Sequence, residues 1–324
     1  MRGLEQSTHP LVAAPMRRLR AIRISQAIRD DLLIPGQLGT VASVHRSAIN
    51  VRRGDRMLTV ALDSVGGLPN GLSVASPMPL DQLGLCPGMT VRSHGSLSVP
   101  AAAVMIDLAS AGSWSPTMAN LAQTSARERS GYVAGTIALA AADVGGMGLG
   151  PLITLLDGTP TRFPSRLIQT AAGALADVVE GLQSGEVRRA VEPASSLVGL
   201  GPGATPSGDD LLVGLSAGLL AICHPTARPF ARQVADAAAG RTTALAETFL
   251  WHAGRGEFAE RVQRTAGAVL SGDEPRMRQA VRDELAWGAS SGADLLGGML
   301  IGIIVDDPDL PIRLRVASLV AAAA

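Results

Sequence analysis

The chain has 324 residues, with 28 basic and 28 acidic side chains and a formal net charge of zero. Every basic residue is arginine, and the absence of lysine excludes Schiff-base and pyridoxal enzymes, biotinyl or lipoyl carriers, kinase chemistry and Gly-Lys phosphate loops. The neutral balance argues against a nucleic-acid binder, and the lone cysteines Cys86 and Cys223, far apart and outside any CxxC context, argue against a disulfide framework or zinc site and fit a reducing cytoplasm.

The first 26 residues contain no uninterrupted apolar run, so no secretory leader is expected. From about residue 39 to 108 the chain reads as short strands. Residues 41–51 and 57–62 form an expected hairpin about Gly54-Asp55, a dense turn cluster follows at Gly66-Gly67-Leu68-Pro69-Asn70-Gly71, and further strands are expected at 89–92, 97–99 and 104–108. Turn signals at this spacing suit an antiparallel sheet or small barrel. After Ser113-Trp114-Ser115-Pro116 the pattern turns helical, with helices expected over 119–142, 165–182, 228–240, 243–253, 257–270, 275–287 and 314–324. The apolar runs 211–222 and 295–305 are too short to span a membrane and read as buried core helices. The expected fold class is α+β, with a β-rich N-terminal domain over residues 1–115 and an α-helical C-terminal domain over 116–324.

The most informative feature is an internal repeat. Ser207-Gly208-Asp209-Asp210-Leu211-Leu212-Val213-Gly214-Leu215-Ser216-Ala217-Gly218 aligns without a gap with Ser291-Gly292-Ala293-Asp294-Leu295-Leu296-Gly297-Gly298-Met299-Leu300-Ile301-Gly302, and seven of the twelve positions are identical. The frame S-G-x-D-L-L-x-G-x-x-x-G places Ser207 and Ser291 as helix caps and Asp210 and Asp294 as capping-box acids. Gly214 and Gly218, like Gly298 and Gly302, fall on one helix face, where glycine costs about 1 kcal/mol against alanine. Two such pairs predict that the helices cross backbone against backbone, with their N-termini near one another. Positive dipole ends, amide groups and the hydroxyls of Thr205, Ser207, Ser290 and Ser291 would then face one space. The preceding Gly199-Leu200-Gly201-Pro202-Gly203-Ala204-Thr205-Pro206 lets backbone approach a phosphate, carboxylate or carbamoyl group closely. A capping box packed for structural reasons is the competing reading of the same residues.

The segment Leu200-Gly201-Pro202-Gly203-Ala204-Thr205-Pro206-Ser207-Gly208-Asp209-Asp210 resembles the hallmark of AllH-type proteins, which include a subunit of bacterial oxamate carbamoyltransferase, and Ser291-Gly292-Ala293-Asp294 resembles their second signature. Asn70 in its turn and Thr242-Thr243 also match, so the likeness covers most of residues 40 to 305. It implies a multi-subunit enzyme that interconverts oxalurate plus phosphate with oxamate plus carbamoyl phosphate in allantoin catabolism, with other carbamoyltransferase subunits as partners. Two positions depart from the pattern: Ala204 replaces a larger apolar residue, and Ala289 stands where many relatives have histidine.

The candidate catalytic residues are therefore Asp209, Asp210 and Asp294. The candidate contacts to a small anionic substrate are Gly201, Gly203, Thr205, Ser207, Gly208, Ser290, Ser291, Gly292, Asn70, Arg241, Thr242 and Thr243. Asp209 and Asp210 are also candidate ligands for Mg²⁺, since hard cations take carboxylate oxygens; capping is the rival role. Arg241-Thr242-Thr243 reads equally as a capped helix start, and Asn70 as a plain turn residue. His9, His45, His94, His224 and His252 show no metal-binding spacing, and His252 beside Trp251 reads as a packed helix residue. No nucleic-acid or membrane partner is expected.

Overall fold

The computed structural model describes residues 16–121, 124–156, 158 and 165–320. The strands and first helix run in the order β1 (Arg17–Ser25), α1 (Arg29–Leu33), β2 (Gly36–Val44), β3 (Ala48–Arg53), β4 (Arg56–Leu62), β5 (Gly71–Ala75), β6 (Thr90–Ser93), β7 (Ser96–Val99), β8 (Val104–Asp107) and β9 (Gly112–Trp114). Their sheet order is β5-β4-β3-β2-β6-β7-β8-β1-β9, and β1 also pairs with β5, so eight strands close into a barrel and β9 continues along the edge of β1 beyond β8. Closure removes the exposed strand edges that an open sheet would leave.

Six of the pairings are antiparallel, while β1–β8, β1–β9 and β4–β5 are parallel. The hairpin β3–β4 closes at Arg53↔Arg56 over Gly54-Asp55, as its turn signal predicts. Residues 41–51, expected as one strand, are two, because the chain reverses at His45-Arg46-Ser47 and the His45 N–H donates to the Ala48 carbonyl at 2.8 Å. Between β4 and β5 the Gly66–Gly71 turn cluster doubles the chain back, so Thr59 comes to lie beside Gly71 in parallel register. β1 was not legible as a strand, because four arginines hide the alternation that buries Leu19 and Ala21.

The helices that follow are α2 (Ala126–Ala140), α3 (Leu152–Leu155), α4 (Arg166–Gln183), α5 (Val187–Ser195), α6 (Ser207–Ala221), α7 (Ala227–Ala238), α8 (Ala244–Gly254), α9 (Glu260–Ser271), α10 (Glu274–Leu285), α11 (Ser291–Ile303) and α12 (Leu310–Val320). Several starts are set by side-chain caps: Ser125 with Glu128 forms a full capping box, and Ser165, Thr243 and Asp273 each accept an amide of the first turn. The capping box starts α2 at Ala126, later than the expected 119. Helix α5 escaped the sequence reading because Pro193 lies inside it.

Two apolar clusters form. One fills the barrel with residues such as Val41, Ile49, Val60, Val74, Leu97 and Ile106, and the other joins the helices. Strand alternation ties them together: Val60 points into the barrel, while its neighbour Ala61, with Leu68, joins the helical cluster. Helices α6 and α11 lie at the centre of that second cluster and are buried along almost their whole lengths. Among the described residues no helix is long and apolar enough to cross a membrane.

Candidate functional site

The repeated glycines do what their spacing predicts. A Cβ on Gly214 would collide with the Leu295 carbonyl and one on Gly218 with that of Met299; Cβ atoms on Gly298 and Gly302 would meet the carbonyls of Leu211 and Leu215. The contacts advance together along both chains, so α6 and α11 run in the same direction with backbones touching. Their N-termini therefore lie side by side, and each Asp is answered by a serine of the opposite helix.

The serines are not caps. Pro206 and Ser290 occupy the cap positions without a capping side-chain bond, and Ser207 and Ser291 are the first helical residues. In α6 the fixed, extended backbone of Pro206 takes the cap position, so the helix begins one residue earlier than a Ser207 cap would place it. The hydroxyls turn across the helix pair instead. Those of Ser207 and Ser290 bond the Asp294 carboxyl, while those of Ser291 and Thr205 face Asp210, with Thr205 Oγ1 3.0 Å from Ser291 Oγ. Burial pushes the Asp294 carboxyl up to about 6 against these bonds. It pushes Asp210 well up as well, helped by the like charge of Asp294 and opposed by Ser291, Thr205 and Arg261.

The first-turn amides are largely used within the chain. The N–H of Gly208 donates to Leu200, those of Asp209 and Asp210 to Pro206, that of Gly292 to Trp287 and that of Asp294 to Ser290. Asp209 is likewise occupied: Gly199 N–H donates to its Oδ1 at 3.0 Å and Thr242 Oγ1 to its Oδ2 at 2.5 Å. Thr243 caps α8 and its hydroxyl donates to the Ala204 carbonyl at 2.5 Å. Asp209, Thr242 and Thr243 thus tie the Gly-Pro-Gly loop to α8. In that loop Gly201 and Gly203 take φ values of +105° and +108°, which only glycine adopts without strain.

Asp210 borders a small cavity. It shares a space of about 40 Å³ with Thr205, Val213, Phe249, Phe258, Arg261, Trp287 and the barrel residues Leu68 and Pro69. Arg261 sits at the start of α9, buried, with its Nε donating to Glu284 Oε1 at 3.2 Å and its guanidinium 3.4 Å above the Trp287 ring. Glu284 also accepts from Thr265 at 3.1 Å. The barrel fixes this helix start: Glu260 N–H donates to the Gly67 carbonyl, Gly67 N–H donates back to Glu260 Oε2, both at 2.8 Å, and Arg23 Nη1 reaches the same oxygen at 2.9 Å.

Arg261, Glu284 and Trp287 were missed in the sequence. The available signal was that Arg261 falls among Phe258, Val262 and Thr265 on the buried stripe of α9, and Glu284 after Met277 and Val281 on that of α10. Opposite charges at core positions of two helices in contact mark a buried ion pair.

Other candidates lie apart. Asn70 is buried in its turn, with Nδ2 donating to Met57 O at 3.1 Å and to Thr59 Oγ1 at 3.0 Å; its neighbours Leu68 and Pro69 border the cavity. Arg241 is exposed and donates to the Ser195 carbonyl at 3.0 Å. His252 is packed, as expected, with Nδ1 2.7 Å from Glu257 Oε2, and burial holds its pKa below the usual value against the pull of Glu257. Both carboxyl oxygens of Asp209 already accept hydrogen bonds within the chain, and among the described residues no group of three or more His, Cys, Asp or Glu side chains could hold a metal ion. Ala289 is exposed beside Ser290.

The stretch from the Gly-Pro-Gly loop to the end of α11, residues 197–303, matches the family described as oxamate carbamoyltransferase subunit AllH, and residues 20–113, which span the barrel strands, match the AllH family N-terminal domain. The chain belongs to the AllH family. Membership supports a subunit of oxamate carbamoyltransferase, consistent with other subunits as partners. Neither the curated proteins nor the solved structures contain a significant match to it. Both S-G-x-D helix starts, the Thr242-Thr243 tie and Arg261 lie inside the AllH match, and the Leu68-Pro69 edge of the cavity lies inside the N-terminal one.

Proposed function

We propose that this AllH chain seats the substrate of an oxamate-carbamoyltransferase-like enzyme, interconverting oxalurate plus phosphate with oxamate plus carbamoyl phosphate in purine nitrogen catabolism in the cytoplasm. The observation that carries this reading is the position of Asp210: a buried acid at the meeting point of two helix N-termini, bordering a cavity that the barrel turn Leu68-Pro69 also lines. In the direction of oxalurate breakdown, a phosphate oxygen forms a bond to the carbamoyl carbon. The bond from that carbon to the oxamate nitrogen breaks, and the nitrogen takes up a proton. Charge builds on the carbamoyl oxygen in between, and the dipoles of α6 and α11, with Arg261, favour negative charge at this point. The hydroxyls of Thr205, Ser290 and Ser291 and the exposed Gly201–Gly203 turn form the rim on which an anionic group would rest. Residues 1–115 and 116–324 act as two cooperating domains, each contributing one wall.

The test is reconstitution of the full chain with its partner subunits, followed by assay of carbamoyl phosphate formed from oxalurate and phosphate, with and without added Mg²⁺. Asp210→Asn is expected to lower turnover by about a hundredfold, the scale of one lost transition-state contact. Full activity in that variant would sink the proposal.

A second reading, a non-catalytic anion-binding or assembly subunit, is favoured by one observation: five amides of the two helix starts already bond within the chain. In that case oxalurate turnover by the partner subunits would not depend on Asp210.

A further inference from the structure

Six buried side-chain atoms among the described residues have no hydrogen-bond partner, and two of them, Oδ2 of Asp210 and Nη1 of Arg261, belong to residues that line the same cavity. One is an acceptor and the other a donor, and they are close enough to influence each other's charge without forming an ion pair. Arg261 is not free to swing toward Asp210, because Glu284 holds its Nε and Trp287 lies against its face.

The other half of the repeat shows what such a carboxyl accepts. In the Asp294 half-site the chain itself supplies a donor: Leu149 N–H reaches Asp294 Oδ1 at 2.6 Å. The segment that carries it is seated so closely that a Cβ on Gly148 would come within 2.7 Å of both Asp294 oxygens and of Ser207 Oγ. Around Asp210 the equivalent space is bordered instead by Arg261, Trp287 and the barrel turn. The two half-sites are alike in their serines and acids, and each keeps one carboxyl oxygen without a partner, Asp210 Oδ2 and Asp294 Oδ2; they differ in that a backbone N–H of the chain reaches the other oxygen of Asp294.

Resting on the function proposed above, we infer that the Asp210 half-site recognises a terminal carbamoyl group, whose NH₂ donates to Asp210 Oδ2 while its carbonyl oxygen accepts from Arg261 Nη1. The size agrees. A cavity of about 40 Å³ has room for about three water-sized groups, and a carbamoyl group has three heavy atoms. The remainder of the substrate stays outside, toward Thr205 and the Gly-Pro-Gly loop. In its ionised form the Asp210 carboxyl presents only acceptor oxygens to the cavity. Seating an N–H donor favours that ionised form, so binding should release a proton from Asp210.

The experiment titrates the full chain, alone and assembled with its partner subunits, with oxalurate and with N-acetyloxamate, which replaces the terminal NH₂ by a methyl group of similar size. The expected result is a preference for oxalurate of about tenfold or more, the value of one good hydrogen bond to a charged acceptor. Calorimetry in buffers of different ionisation enthalpy should show proton release with oxalurate and not with the methyl analogue. Asp210→Asn should abolish both the preference and the proton release, and Arg261→Lys should weaken both ligands together. Equal affinity for the two ligands in the unmodified chain overturns the inference without any variant having to fold, as does a preference that survives Asp210→Asn. If the assembled enzyme turns oxalurate over without discriminating the analogue, the inference fails and the proposed function stands. If neither ligand binds in either form, the proposed function fails and the inference falls with it.

Discussion

Asp210 and Asp294 are two acids in the middle of a protein, each facing the serine that begins the other's helix. Their protonation couples to stability with a definite sign. Asp294 is raised in the folded chain from its ordinary 3.8 to about 6, so between those values the native state holds more protons than the unfolded state. Stability therefore falls as pH rises through that window and is level above it. Asp210, shifted the same way, adds to the slope. Asp294→Asn should flatten the slope and raise stability at pH 7 relative to pH 4 by up to about 3 kcal/mol, the value of a two-unit shift. Urea unfolding at a series of pH values measures this, and a variant with an unchanged slope would show that Asp294 is not the group responsible. At this scale the candidate site was half legible. The serines and acids announced themselves because the repeat preserved them in order. Arg261 and Glu284 did not, since each joins Asp210 only through folding, from more than fifty residues away in the chain. The capping role assigned to Ser207 and Ser291 failed because each helix starts one residue early, with Pro206 in the cap position of α6 and Ser290 in that of α11.

At the scale of elements, the glycine faces of α6 and α11 set how closely the two acids can approach. Gly214→Ala or Gly298→Ala would drive a methyl group into a backbone carbonyl of the facing helix and should destabilise the protein by about 1–3 kcal/mol, separating the half-sites. Gly173 in α4 is the contrasting case, since nothing lies within 4 Å of a Cβ placed there. Gly173→Ala should stabilise by about 0.4–1 kcal/mol. Thermal or urea unfolding of the two variants separates the effects; equal changes in both would refute close helix contact as the reason for the α6 glycines. The crossing was legible because glycine spacing is a direct record of backbone approach. Elements whose sequence conflicted with their state were lost: arginines concealed β1, and a proline concealed α5. The parallel pairing of β4 with β5 was invisible for a different reason, since the turn signals mark where a chain bends and not where it returns.

For the whole molecule, the decisive contact is small. The turn at Gly67 and the first residue of α9, Glu260, exchange two hydrogen bonds, and Arg23 of β1 joins them, so the barrel positions the helix start that carries Arg261. Glu260→Ala should cost about 1–3 kcal/mol through the unsatisfied Gly67 amide and the lost ion pair. It should also weaken oxalurate binding, because Arg261 would lose its fixed origin. Unfolding and calorimetry together check this, and lowered stability with unaltered affinity would show that the barrel does not position the site. Composition foretold two regions of different character but not this dependence of one on the other.

A catalyst that handles activated carbamoyl groups is exposed to its own substrate. Unprotonated amines attack carbamoyl phosphate and the cyanate it releases, and a buried lysine, whose charge burial suppresses, would be open to carbamoylation. Arg261 holds the equivalent place with a guanidinium that stays protonated at neutral pH and does not compete as a nucleophile. The rest of the sequence follows suit: no lysine occurs in 324 residues, and the side-chain thiols are confined to Cys86 and Cys223, both on the surface. The arginine-only composition thus offers no side-chain amine to the reagent the protein is proposed to make.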